Sequence, residues 1–424
     1  MPSHPADPAA LPSVAARFVR YVQIDTQSDP DSDAAPTTEK QKGLSRLLHE
    51  ELNALGLDAQ IDEFGYVYAV LPSTLGDEAA AATPSLGLLA HVDTSPDEPG
   101  GLVRPFIHPD YQGDVITLPA DESVTLDPER QPDLLKHLGQ DIITSDGTTL
   151  LGSDDKAGVA VIMQLAEDLI GNDAPRPELR LLFTVDEEVG RGVDHLDRER
   201  FGADVAYTID GGAIGEISAE TFNAAEAIVT VEGVTVHPGY AKGVLVNAVA
   251  VLADFITGLP ADEAPDTTEK REGYFYPHTI TRGETGHAAV RILLRDFDDD
   301  GMARRKAFVQ TLADEVAERH GANVSVEIKD SYRNMLRYIE EADARTVGFA
   351  ITAAREAGIE PTLKIVRGGT DGARLSEMGI PTPNIFTGGH DFHSRFEWNT
   401  VQNLETTLEY VKTLVRHWGE HGRR

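Results

Sequence analysis

At 424 residues, with 41% apolar and 25% charged side chains, the chain exceeds one hydrophobic core and predicts two domains of ordinary globular composition. Its 37 basic against 71 acidic side chains leave a net charge of −34, a field that repels nucleic acid and anionic membranes. No apolar run reaches the ~20 residues of a membrane span, residues 1–12 lack the basic-then-apolar plan of a secretory signal, and the absence of cysteine excludes disulfides and thiolate metal ligands, so a cytoplasmic location is expected.

Residues 14–22 and 44–55 carry apolar side chains at helical spacing, the second helix starting at Thr38 with Gln41 placed for a capping box. A pattern then recurs. The apolar run 86–90 ends at His91-Val92-Asp93-Thr94, and 150–153 leads into Asp154-Asp155-Lys156 and an apolar helix over 157–170. Run 179–185 ends at Asp186-Glu187-Glu188, and 205–209 at Asp210-Gly211-Gly212. Run 363–366 ends at Arg367-Gly368-Gly369-Thr370-Asp371, and 383–386 leads into Gly388-Gly389-His390-Asp391-Phe392-His393. Buried parallel strands read as short apolar runs, and ligands bind at their carboxyl ends in open α/β sheets. Six such runs with acids, histidines or glycines at one end predict an α/β domain with its site along that edge.

The stretch from Ala224 to about Asp330 lacks those clusters. It reads strand (227–234), helix (247–257), strand (274–281), strand (288–295), helix (302–320) and strand (324–329), the β-α-β-β-α-β order of a ferredoxin-like unit. The domain plan is therefore a discontinuous domain, 1–222 with 331–424, interrupted by an inserted one, 223–330. A helix carrying Leu404, Leu408, Val411, Leu414 and Trp418 closes the fold.

Taken singly, each polar strand end has a bland reading. His91 with Asp93 is a surface pair, Asp154-Asp155 a helix cap favoured by the helix dipole, and His393 a turn residue. Three consecutive acids, Asp186 to Glu188, are harder to place without a compensating cation. Together, two histidines and three carboxylates on five strand ends form a nitrogen and oxygen ligand set suited to zinc. Five protein ligands exceed what one catalytic zinc takes, and with one carboxylate bridging they suit two ions roughly 3.5–4 Å apart. Asp93 and Glu187 then stand uncoordinated but adjacent, one able to orient a histidine ligand and the other to accept a proton from water.

The segments His91-Val92-Asp93-Thr94, Gly152 to Gly158, Asp186 to Gly190 and Asp210-Gly211-Gly212 resemble the metal-site signatures of the co-catalytic zinc exopeptidase family. That family includes carboxypeptidase G and succinyl-diaminopimelate desuccinylase. Val236-His237-Pro238-Gly239, Arg295 to Asp298, Arg367 to Gly372 and Asn384 to Gly389 are similar, more narrowly, to its tripeptide-aminopeptidase branch. The resemblance spans about Phe18 to Leu414 with its motifs in order. It implies a zinc-exopeptidase-like catalytic domain, a mixed sheet flanked by helices, with an inserted ferredoxin-like α+β lid.

By the same resemblance, His91, Asp154 and Asp210 hold one zinc, and Asp154, Glu188 and His393 hold the other, Asp154 bridging. Asp93 orients His91 and Glu187 is the general base. His237 polarises the scissile carbonyl or binds substrate, and Asn247, Arg295 and Arg367 are candidates for gripping a substrate carboxylate. His390 stands where the family has an aromatic residue, and His393 is taken as the ligand. The expected activity is removal of the N-terminal residue from tripeptides with two zinc ions, cobalt or manganese substituting. The expected partners are short peptides, with no nucleic acid or membrane, in a monomer or homodimer. A dipeptidase, a carboxypeptidase or an N-acyl amino-acid deacylase would show the same metal signatures. A zinc-binding module without catalysis is disfavoured, because both Asp93 and Glu187 are present.

Overall fold

The computed structural model describes residues 3–423, and the chain divides into two compact units. The first runs to Ala219 and includes Arg337–Lys364 and the chain from Thr370 onward; the second comprises Glu220–Leu336 with Ile365–Gly369.

An eight-stranded mixed sheet organises the first unit. Its spatial order is Thr362–Val366, Glu216–Thr221, Asn384–Phe386, Val205–Gly211, Leu86–His91, Leu179–Thr184, Val67–Leu71 and Gln60–Ile61. The four central strands, from Asn384–Phe386 to Leu179–Thr184, are parallel, and Val67–Leu71 and Glu216–Thr221 flank them antiparallel. Every residue of Leu86–His91 is buried, which is why it reads as an unbroken apolar run. The register sets Leu89 opposite both Thr208 and Leu182, and His91 opposite Thr184. The polar residues that follow these strands therefore emerge level with one another.

Helix Ser153–Leu169 is buried along nearly its whole length, as expected of a helix packed on all sides. It lies so close to the sheet that a Cβ on Gly158 would sit 2.0 Å from the Ile209 carbonyl oxygen. Helix Ser13–Val22 buries Val14, Phe18, Val19 and Val22, and helix Val401–His421, capped by Thr400, buries Leu404, Leu408, Val411, Leu414 and Trp418. A smaller sheet is formed by His4–Pro5, Phe106–His108, Ile142–Thr144 and Trp398–Thr400.

Two local expectations are corrected. Residues 150–152 have no regular secondary structure and enter the helix directly, so Asp154 comes from a helix start and not from a strand end. Leu150 and Leu151 are buried, and burial without pairing produces the same apolar signal. Helix Gln41–Ala54 lacks a capping box, with Lys40 at its N-cap position. The Gln41 amide is drawn instead to Asp186, at 2.6 Å.

In the second unit a four-stranded antiparallel sheet has the order Tyr274–Glu284, His287–Asp296, Asn223–Glu232, Asn323–Tyr332. Helices Ala248–Thr257 and Asp299–His320 complete the predicted β-α-β-β-α-β order. Their core includes Val229, Val231, Phe255, Val290, Ile292 and Val309. Among the described residues no helix is long and apolar enough to cross a membrane.

Candidate metal centre

The first unit brings seven of the sequence-predicted residues to one place. His91 ends its strand, buried, with Nε2 2.9 Å from Asp154 Oδ1 and 3.6 Å from Asp210 Oδ1. Its other nitrogen, Nδ1, lies 3.1 Å from the Asp93 carbonyl oxygen and 3.4 Å from the Asp93 carboxylate. Asp93 is fully buried, and its two carboxylate oxygens accept the backbone N–H groups of Glu187 and Glu188 at 3.0 and 3.2 Å. Asp93 thus meets the histidine through its backbone carbonyl, with its carboxylate close by, and that carboxylate anchors the turn that bears both glutamates.

That turn is held in an uncommon shape. Asp186 has φ of 59°, a left-handed conformation that a non-glycine residue adopts only with support. Support comes from the N–H and hydroxyl of Thr37, at 2.8 and 2.5 Å, and from the Gln41 amide. The short 3-10 helix Glu187–Val189 follows and presents Glu188 to His393, whose Nε2 lies 2.8 Å from Glu188 Oε2 and 3.4 Å from Asp154 Oδ2. His393 also has positive φ, 59°, and its Nδ1 lies 3.1 Å from Asp97 Oδ2.

Two groups of possible ligand atoms result, His91 with Asp154 and Asp210, and Asp154 with Glu188 and His393, each with its atoms within 4.8 Å of one another. Asp154 belongs to both. Burial, with the neighbouring Asp154 charge, pushes Asp210 up to about 6 and Glu188 up to about 8. Burial raises Glu187 well above the carboxylate range, and Asp371, Asp210 and Glu188 add to it against the opposing pull of His91. Burial would also raise Asp154, but its hydrogen bonds with His393 and His91 hold it well below its ordinary value. Hydrogen bonds to Asp154 and Glu188 push His393 up to about 11. His91 is raised as well, its hydrogen bonds to Asp154, Asp210 and Asp93 overriding the downward effect of burial.

Carboxylates packed until they raise one another mark a place where positive charge belongs. Glu188 Oε1 is buried with no hydrogen-bond partner, a cost a protein rarely accepts unless something else binds there. The donors are all nitrogen and oxygen. The residues fit a pair of divalent ions sharing Asp154.

The four substrate-binding candidates lie in the second unit, where each has a local partner. His237 Nδ1 accepts from the Gly239 N–H, and Asn247 caps helix Ala248–Thr257 by accepting from the Val249 N–H. Arg295 donates to the Leu294 carbonyl at 3.0 Å and sits over the Tyr332 ring. Arg367 is more fully engaged, donating to the Lys270 and Glu272 carbonyls and the Thr268 hydroxyl while lying over Phe222 and Tyr274.

Sequence reading gave three buried acids at the first unit's centre no part in the site, Asp155 being read only as half of a helix cap. Asp155 accepts from the His91 and Gly158 N–H groups, bracing the ligand strand against the helix. Asp371, pushed up to about 7 by burial, accepts from the Thr184 hydroxyl at 2.8 Å. Both stood inside quoted motifs. Glu397 had no such signal: it accepts from three backbone N–H groups at 151, 152 and 154, an arrangement visible only once the chain is folded.

The sequence model of Peptidase family M20/M25/M40 matches residues 149–417. A peptidase T of Desulfitobacterium hafniense (strain Y51) is 44% identical over 413 residues, covering 97% of this chain and 99% of that protein. The crystal structure of aminopeptidase PepT from Bacillus cereus ATCC 10987 superposes with a TM-score of 0.71 at 24% identity, covering 96% of this chain and 98% of that one. The Bacillus subtilis YXEP protein, a dinuclear metal binding peptidase from the M20 family, superposes with a TM-score of 0.64 at 12% identity, covering 95% and 98%. The two structural likenesses reflect a common fold.

Proposed function

The chain belongs to peptidase family M20/M25/M40, within its peptidase T branch, and on that premise we propose that it is a metallo-aminopeptidase removing the N-terminal residue from tripeptides. The observation that carries the metal part of this reading is the pair of ligand groups sharing Asp154. His91, Asp154 and Asp210 hold one zinc, and Asp154, Glu188 and His393 the other, with cobalt or manganese able to replace zinc at an all-nitrogen-and-oxygen site.

Bound there, two divalent ions supply acidity to water and positive charge to the scissile carbonyl. The protein does the rest. Asp93 fixes the tautomer and angle of His91 and, through the N–H groups it accepts, the direction of Glu187. Glu187 is not needed as a ligand, and its raised affinity for protons suits a base that takes one from water and returns it to the leaving amine. In the second unit, His237, Asn247 and Arg295 are the proposed substrate-binding groups. Arg367 is proposed with them, although its hydrogen bonds to Lys270, Glu272 and Thr268 also hold its own loop.

Product analysis tests the proposal. Free tripeptides should lose their first residue, C-terminally amidated tripeptides should be cleaved poorly and longer peptides hardly at all. Chelation should abolish the reaction, and zinc, cobalt or manganese should restore it. Preferred release of the C-terminal residue, of an acyl group, or cleavage of dipeptides alone would replace this reading with carboxypeptidase, deacylase or dipeptidase. Full activity in metal-free protein would end it.

A further inference from the structure

His393 stands on a loop closed by reciprocal backbone hydrogen bonds between His390 and Trp398, at 2.9 and 3.1 Å. The Trp398 indole N–H donates to Asp391 at 3.1 Å, and the Ser394 hydroxyl donates to the Asp391 carbonyl, so the loop is internally braced. From its far end Glu397, 1% exposed, reaches into the turn before helix Ser153–Leu169. One carboxylate oxygen accepts the N–H groups of Leu151 and Gly152 at 2.8 and 2.7 Å, and the other accepts that of Asp154 at 3.0 Å. The turn needs such a clamp, because Gly152 holds φ of 79° and the helix's first residues would otherwise lack acceptors.

We propose that Glu397 is a positioning residue that sets the bridging carboxylate of Asp154 against His393, because the same loop presents the histidine and grips the turn that carries the aspartate. The proposal rests on the two-ion reading of the centre. Asn399 adds to the link by donating to the Ser153 hydroxyl at 2.9 Å. Glu397 belongs to neither ligand group, both its oxygens being taken up by backbone N–H donors. It acts by fixing the distance between two ligands, and both ions depend on one of them.

Two variants of the full chain test this. Glu397→Gln keeps the size but turns an NH2 group toward backbone N–H donors, and Glu397→Asp keeps the charge but falls one methylene short. Apoprotein titrated with zinc against a chromophoric chelator gives ion number and affinity, and cobalt loading gives an absorption spectrum sensitive to ligand geometry. Both variants should melt cooperatively, bind both ions about 10- to 100-fold more weakly and show an altered cobalt spectrum. Asp146→Asn is the control: it changes a buried carboxylate that shapes the Thr148 turn and pairs with Arg104, and should lower stability without changing metal affinity. Wild-type affinities and spectrum in either folded variant would overturn the proposal. Failure of both variants to fold would overturn it equally, making Glu397 a residue of the fold. Fewer than two ions on the wild-type protein would instead remove the two-ion reading beneath it.

Discussion

Glu187 and Glu188 are neighbours with opposite surroundings, and their variants should separate cleanly. Glu188 faces His393 and carries an unpartnered buried oxygen, so Glu188→Ala should lose metal. Glu187→Ala should keep both ions and lose at least ~10²-fold in turnover, the scale of general-base catalysis. Metal analysis beside steady-state rates decides, and exchanged phenotypes would reverse the assignment. His390 gives a second test at this scale. Its ring stacks on Trp398 at 4.1 Å with His137 at its edge, 5.4 Å away, and burial followed by His137 lowers it to about 4. With a folded value below the unfolded 6.5, the unfolded chain binds the extra proton, so stability falls as pH drops from about 6.5 to 4. His390→Phe should match wild type at pH 7 and lose less at pH 4.5, by up to about 3 kcal/mol from 1.36 kcal/mol per unit. Parallel denaturation curves at the two pH values would refute this. Both residues were readable as chemical types in the sequence. Which glutamate meets a histidine came only from the family resemblance, which paired Glu188 with His393; the residues alone could not tell, because Asp186 turns the chain left-handed between the strand and the pair.

Strands advertise themselves better than turns. The four parallel strands were legible because each is buried on both faces, and their polar ends stood out against that background. The turn before helix Ser153–Leu169 was misread as a strand because Leu150 and Leu151 are equally buried. The acid that holds it, Glu397, does so through backbone N–H groups that leave no mark in the sequence. The same helix shows how tightly the sheet constrains it. A methyl group on Gly158 would meet both the Ile209 carbonyl, one residue before Asp210, and the Asp155 carboxylate at 2.5 Å. Gly158→Ala should therefore cost about 1–3 kcal/mol of stability, despite alanine's better helix propensity, and should weaken metal binding. Thermal melts with and without zinc measure both effects, and a stabilised variant would show that the helix has room to move.

Across the whole molecule, the second unit was read almost element by element, since its strands alternate and its helices start or stop at recognisable residues, Asn247 before one and Gly321 after the other. The first unit's sheet order was out of reach, because it depends on a segment distant in sequence. Asn384–Phe386 lies between Val205–Gly211 and Glu216–Thr221, two strands that are consecutive in the chain. A ribosome delivers the chain from one end only. Until that late segment emerges, Val205–Gly211 has an open hydrogen-bonding edge of the kind that pairs with strangers, and Asp154 and Glu188 lack their histidine. Synthesis should thus pass through a stage in which the second unit can be complete while the first keeps an open edge. A chain halted at residue 380 should bind a hydrophobic dye, aggregate and exchange the amides of Val205–Gly211 rapidly, while those of Asn223–Glu232 stay protected. Adding residues 381–424 as a separate peptide should slow that exchange. Equal protection of the two strands in the halted chain would mean that the sheet closes without its last central strand.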